Sequence, residues 1–162
     1  VAQAASLSSY SEQRRIREIG MKVLSYDPER CVGCFVCEET CSFTWFKVGD
    51  REKSNIRITV TDAHPHSANF CIQCGDCIDV CPTNAIFRDR RGIVRIRKNL
   101  CVGCMSCVGF CPYAAMRHHE DQIQPFKCVA CGQCTKECPG AALTIIDVED
   151  PPPTETEKWL GE

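Results

Sequence analysis

Sixteen cysteines in 162 residues constrain this chain more than any other feature. They fall into four groups of four with none left over: Cys31/Cys34/Cys37/Cys41, Cys71/Cys74/Cys77/Cys81, Cys101/Cys104/Cys107/Cys111 and Cys128/Cys131/Cys134/Cys138. Each group reads C-x2-C-x2-C-x3-C, and in the last three the fourth cysteine is followed by Pro82, Pro112 or Pro139. Three thiolates two residues apart can wrap one face of a cube when the backbone between them is a tight loop. The loop N–H groups then point at the cluster sulfurs and offset their negative charge. Gly33, Gly75, Gly103 and Gly132 lie inside the loops, where a residue without Cβ permits positive φ and close approach. Proline after the fourth cysteine ends the helical turn and redirects the chain, so that this cysteine reaches a neighbouring cluster.

Composition supports the same reading. Hydrophobic residues including Cys make up 44% of the chain. Removing Cys leaves about a third, thin for a domain that must offset its conformational entropy by burial alone. Something bound to the cysteines has to supply part of the core. Rival uses of the thiols fit poorly. A disulfide scaffold would not repeat one spacing four times, and structural zinc uses pairs of C-x2-C knuckles. The C-x3-C-x2-C pattern of radical enzymes is absent. All sixteen cysteines are therefore expected to ligate four [4Fe–4S] clusters, in the spacing of bacterial ferredoxins. With about −2 from each oxidised, four-thiolate cube, the formal charge of −2 becomes roughly −10 on loading. The unloaded balance of 19 basic against 21 acidic residues argues for neither a nucleic-acid partner nor a disordered acidic tail. No apolar run approaches the roughly 20 residues of a membrane span. Val1 to Arg15 holds Arg14-Arg15 but no apolar stretch after it, so it is no intact export signal, and prior removal of a leader stays open.

An internal repeat of strand, cysteine loop, short helix and strand organises the chain. Met21 to Tyr26 forms the opening strand and Ala141 to Asp147 the closing one. Ala85-Ile86-Phe87 and Ile93 to Arg97 flank a turn at Arg90-Arg91-Gly92. The intervals between groups are 29, 19 and 16 residues, and only the middle one carries a whole hairpin. Groups two and three then form an inner two-cluster unit, about residues 70–112, nested inside an outer one made of groups one and four. The predicted fold class is α+β, a duplicated bacterial-ferredoxin-like domain over 21–147 with a pseudo-twofold relation between its halves. Exchange of the fourth cysteine gives the ligand sets. In the inner unit they are Cys71, Cys74, Cys77 with Cys111, and Cys101, Cys104, Cys107 with Cys81. In the outer unit they are Cys31, Cys34, Cys37 with Cys138, and Cys128, Cys131, Cys134 with Cys41. The alternative pairs group one with two and three with four.

These motifs resemble the four-cluster ferredoxin-like electron-transfer subunits of anaerobic oxidoreductases, including molybdenum and tungsten enzymes, hydrogenases and formate lyases. The resemblance covers about residues 21–147. Group one departs from it by ending Cys41-Ser42 rather than Cys-Pro. Group four is compact, whereas subunits of many molybdopterin reductases carry an insertion between its second and third cysteines. The compact form is most similar to the small subunits of tungsten-pterin aldehyde oxidoreductases. The resemblance implies a cytoplasmic, non-catalytic subunit passing electrons between a tungsten or molybdenum catalytic subunit and an acceptor, either a flavin subunit or a ferredoxin. An independent soluble polyferredoxin carrier, or a subunit of a hydrogenase, formate or CO dehydrogenase, is the alternative. No nucleophile, base or flavin motif is present, and every iron would have its cysteine.

The remaining features carry narrower expectations. Residues 1–20 fit one helical arm, with Ser9 and Glu12 in a capping box. Phe43, Trp45 and Phe46 are expected to shield the first cluster from water. Arg88, Arg90, Arg91, Arg95, Arg97 and Lys98 are expected on a solvated strand face, with docking of an acidic partner as the functional reading. His64, His66, His118 and His119 lack ligand spacing. Residues 148–162 form a Pro-rich acidic tail through Pro151-Pro152-Pro153, ending near Trp159 and Leu160, which are expected to dock on a catalytic subunit or a second copy of this chain.

Overall fold

A computed structural model describes residues 20–149. The expected N-terminal arm, Gly20 apart, and the tail from residue 150 on lie outside the described residues, while Val148, expected to begin the tail, ends the last strand. The first strand, β1 (Met21–Tyr26), pairs antiparallel with the last, β6 (Leu143–Val148), in unbroken register from Met21↔Val148 to Tyr26↔Leu143. Met21, Val23 and Leu24 of β1 and Leu143 of β6 are buried. The strands are 116 residues apart in sequence, so their pairing closes the molecule around everything between them.

A second antiparallel pair lies inside that closure. β4 (Ile86–Arg88) and β5 (Val94–Ile96) are registered Ile86↔Ile96 and Arg88↔Val94. Ile86 and Val94 are fully covered. The turn is held by Asp89, whose carboxylate accepts from the Arg91 and Ile93 amides and from Arg95 Nε at 2.6 Å. Burial would raise the Asp89 pKa, but these donors outweigh it and hold the carboxyl below its ordinary value.

A third pair, β2 (Arg57–Thr59) with β3 (Ser67–Asn69), occupies the long interval after group one. It follows α1 (Val36–Phe46), whose buried Glu38 accepts from the Ile58 amide at 2.6 Å and from Arg51 Nε at 2.7 Å. Ile56 and Ile58 seal this hairpin against the core. Short helices α2 (Asp76–Asp79), α3 (Ser106–Gly109) and α4 (Gln133–Glu137) follow the second cysteines of the other three groups.

Two apolar clusters result. One gathers Leu24, Ile56, Ile58, Ala115 and Leu143 with Cys37, Cys41, Cys71, Cys128 and Cys134, so half of its buried members are cysteines. The other gathers Ile86, Val94 and Met116 with Cys77 and Cys107. The thiols do occupy the positions that the thin apolar supply leaves open.

Two expectations about side chains are corrected. Phe43 is 62% and Trp45 46% exposed. On α1 the covered stripe runs through Cys37, Glu38, Cys41 and Ser42. Phe43 stands two residues past Cys41 and so faces away, since only positions three and four apart share a face. Phe46 packs edge-on against Phe126, at 4.9 Å between ring centres. Arg88 does not lie on a solvated strand face either. Its guanidinium donates to the carbonyls of Gln73, Cys74 and Gly92 at 2.8–2.9 Å, fastening the hairpin to the second cysteine loop. Arg97 instead lies over the Phe87 ring at 4.0 Å.

Candidate iron–sulfur centres

The same backbone is built four times. The residue before the second cysteine of each group is left-handed: Gly33, Gln73, Gly103 and Ala130, with φ between 48° and 69°. So is the residue after it: Phe35, Gly75, Met105 and Gly132. Alternating left-handed positions turn successive N–H groups towards one concavity, the arrangement that receives anions and iron–sulfur sites. The Gln73 and Ala130 amides reach back to Cys71 Sγ and Cys128 Sγ at 3.4 and 3.5 Å. Glycine fills only one of the two left-handed positions in each loop, so half of these sites carry no mark in the sequence.

The fourth cysteines show what proline does. After Cys81, Cys111 and Cys138 the chain turns back, with Asn84, Ala114 and Ala141 left-handed. The amide four residues on then donates to the thiol sulfur at 3.3 Å: Ala85 to Cys81, Ala115 to Cys111 and Ala142 to Cys138. Those three alanines are 0–2% exposed, so no larger side chain fits there. Group one has Ser42 where the others have proline, and α1 runs on for five residues past Cys41. Cys41 Sγ takes its amide from Asn55 instead, also at 3.3 Å. The departure at Cys41-Ser42 thus changes the connection and keeps the sulfur's donor.

Two cavities are each lined by cysteines of two groups. One is lined by Cys128, Cys131 and Cys134 together with Cys41, and by Leu24, Trp45 and Ile56. The other is lined by Cys101, Cys104 and Cys107 together with Cys81. In each, three cysteines come from one group and the fourth from a partner group. Trp45 therefore walls the cavity that Cys41 shares with group four. The remaining thiols lie close to one another both within and across the groups. Burial, then the Glu38 charge, pushes the Cys37 thiol up to about 12, with Cys138 and Cys34 close enough to add to it. Burial likewise pushes Cys77 up to about 12 against the opposing Lys127 charge, with Cys71, Cys74 and Cys107 of group three beside it. Cys111 packs against the cluster that contains Cys71.

Gly140 permits the approach of Cys138 to group one. A Cβ there would collide with the Arg30 carbonyl oxygen, immediately before Cys31. We expect Gly140→Val to push the turn off the first loop. Iron content should fall by about four atoms, one cube's worth, while the other clusters remain. Unchanged iron and unchanged spectra in the variant would show that the contact has no bearing on cluster binding.

The donor set fits iron–sulfur cubes. All sixteen cysteines are free thiols. Among the described residues, no three His, Cys, Asp or Glu side chains converge where a single ion could sit. A tetrahedral zinc needs four sulfurs about 2.3 Å from one point, whereas a cube needs them spread around a body. His118 lies 2.8 Å from the Gln122 carbonyl oxygen, and the His66 ring stands beside Gly33 in the first cysteine loop with its Nδ1 unpartnered. His119 lies 2.6 Å from Asp121 and 3.5 Å from Asp50, and His64 lies 3.0 Å from the Cys31 carbonyl oxygen.

Comparison with known proteins gives the class first. Residues 30–86, 70–115 and 93–139 each match a 4Fe–4S dicluster domain model. The chain carries ferredoxin-like 4Fe–4S domains of mixed helix and strand content. Among similar proteins is an uncharacterized ferredoxin-like protein, YdhX, of Escherichia coli K12. It is 34% identical over 100 residues, covering 57% of this chain and 45% of that one. The polyferredoxin-like subunit of an aliphatic sulfonate oxidoreductase from Pyrococcus furiosus is 36% identical over 66 residues, 40% of this chain and 38% of its own. The thiosulfate reductase electron transfer subunit PhsB of Salmonella typhi is 30% identical over 90 residues, 48% and 45% respectively. The chain matches less than half the length of each of these relatives. No helix among the described residues is long and apolar enough to cross a membrane.

Proposed function

We propose that this chain is a non-catalytic electron-transfer subunit that holds four [4Fe–4S] clusters and relays single electrons between a catalytic oxidoreductase subunit and a redox acceptor. The observation that carries the reading is the pair of cavities, each walled by three cysteines of one group and the fourth of another. The ligand sets are Cys31, Cys34, Cys37 and Cys138; Cys71, Cys74, Cys77 and Cys111; Cys101, Cys104, Cys107 and Cys81; and Cys128, Cys131, Cys134 and Cys41. When bound, the clusters supply one-electron redox chemistry. The chain's own residues place and insulate them. The left-handed loops aim amides at the sulfurs, α1 and the β2–β3 hairpin cover Cys37 and Cys41, and Arg88 fixes the second loop to the hairpin. A 162-residue domain has a radius of gyration of about 15 Å, so four clusters within it stand on the order of 10 Å apart. Cys34, Cys104 and Cys131 are exposed, giving three places where a cluster edge meets solvent or a partner.

The catalytic partner favoured here is a tungsten- or molybdenum-pterin aldehyde oxidoreductase. Support comes from the compact fourth group and from relatives named as subunits of a sulfonate oxidoreductase and a thiosulfate reductase. The test is anaerobic purification of the tagged chain from its native host, with metal analysis of whatever accompanies it. A stoichiometric pterin-containing chain, whose substrate bleaches the cluster absorption, is the expected result. Recovery of the loaded chain alone would make it a free carrier instead.

A further inference from the structure

Lys127 is 4% exposed, yet among the described residues no carboxylate stands within the 4.0 Å of an ion pair from its Nζ. The ammonium donates to the Gln73 side-chain oxygen at 2.9 Å and to the Cys128 carbonyl at 3.0 Å. Gln73 is itself fully covered and lies in the second cysteine loop. Its side-chain oxygen also accepts from the Val94 amide at 3.0 Å, and its side-chain nitrogen donates to the Cys128 carbonyl at 2.9 Å. One buried cation and one buried amide thus join the second loop, the inner hairpin and the fourth loop. A buried ammonium answered only by neutral dipoles is costly; opposite charge nearby removes the penalty. The groups around it that become negative on loading are the thiolates of groups two and four. Gln73 stands between Cys71 and Cys74 and Lys127 directly precedes Cys128, so the ammonium is held at both loops.

We propose that Lys127 is a fixed internal counter-cation shared by two clusters, those bounded by Cys71/Cys74/Cys77 and by Cys128/Cys131/Cys134, and that it holds their reduction potentials up together at the junction of the inner and outer units. Gln73 is its positioning residue. Each added electron makes a cube more negative, so a cation fixed beside both loops in a poorly screened interior favours reduction of whichever cube it faces. Electrons would then settle at the junction in preference to either end of the chain. The inference rests on the electron-transfer reading for its purpose, but its test does not depend on a partner.

The test is a potentiometric titration of the loaded chain, followed by electron paramagnetic resonance, in wild type, Lys127→Met and Lys127→Arg. In Lys127→Met, two of the four transitions should become harder to reduce by about tenfold, ~59 mV for a one-electron couple. The other two should hold their place, iron content should be unchanged, and Lys127→Arg should restore the wild-type pattern. Gln73→Glu serves if Lys127→Met fails to load, because a carboxylate beside the ammonium cancels its field with little change of shape. The same two transitions should fall. Four unmoved transitions in either loaded variant, or a shift confined to one, would overturn the proposal. A loaded chain that shows the paired shift yet passes no electrons to any partner would remove the electron-transfer reading and leave this one standing.

Discussion

Removal of iron from the loaded chain should abolish the fold. Half of the buried members of the larger core cluster are cysteines, and non-cysteine apolar residues make up only about a third of the sequence. Without clusters the cysteines lining the two cavities lose the bonds that hold four distant segments together. Structural metal binding contributes folding free energy directly, about 10–16 kcal/mol in zinc-finger peptides. The whole stability of a domain is about 5–15 kcal/mol. Anaerobic chelation followed by circular dichroism and amide exchange should therefore show loss of the β1–β6 pairing along with the cluster absorption. A metal-free chain that keeps slow exchange at Val23 and Leu24 would contradict this.

The second large effect concerns the fourth cysteines, where single and double substitutions separate the possible pairings. Cys138→Ser should cost the cluster of group one, leaving about twelve of sixteen iron atoms, or convert it to a three-iron form. Adding Cys34→Ser should cost little more, because both residues serve the same cube. Adding Cys131→Ser should remove a second cluster and leave about eight. Residues of one unit are non-additive and those of separate units additive, which is what the double substitutions read. If Cys138→Ser is instead non-additive with Cys104→Ser, groups three and four exchange their last cysteines and the nested arrangement is wrong.

Much of this architecture was legible because cysteine spacing is a covalent constraint that tertiary context cannot override. The opening strand runs over Met21–Tyr26 as its apolar positions predict. The closing strand begins at Leu143, not Ala141, because Ala141 is spent on the left-handed turn after Cys138. What the sequence hid has physical reasons. Phe35, Gln73, Met105 and Ala130 take left-handed conformations that composition reserves for glycine or asparagine; here the chain geometry between thiols imposes them. The β2–β3 hairpin has strands of three residues, too short for an alternating pattern to register. Arg88 and Lys127 read as ordinary surface cations, since nothing local distinguishes a basic residue that will meet backbone carbonyls from one that will meet water. The shielding role given to Phe43 failed because α1 continues past Cys41, which only the missing proline at position 42 foretells.

We propose that all sixteen cysteines serve four cubes that each take up one electron. It is tested most directly by anaerobic iron and acid-labile sulfide analysis of the intact chain, paired with a counted reductive titration. About sixteen iron, sixteen sulfide and four electrons per chain are expected. Zinc in place of iron, or about eight iron with two electrons and two cysteine groups left open to alkylation, would contradict it.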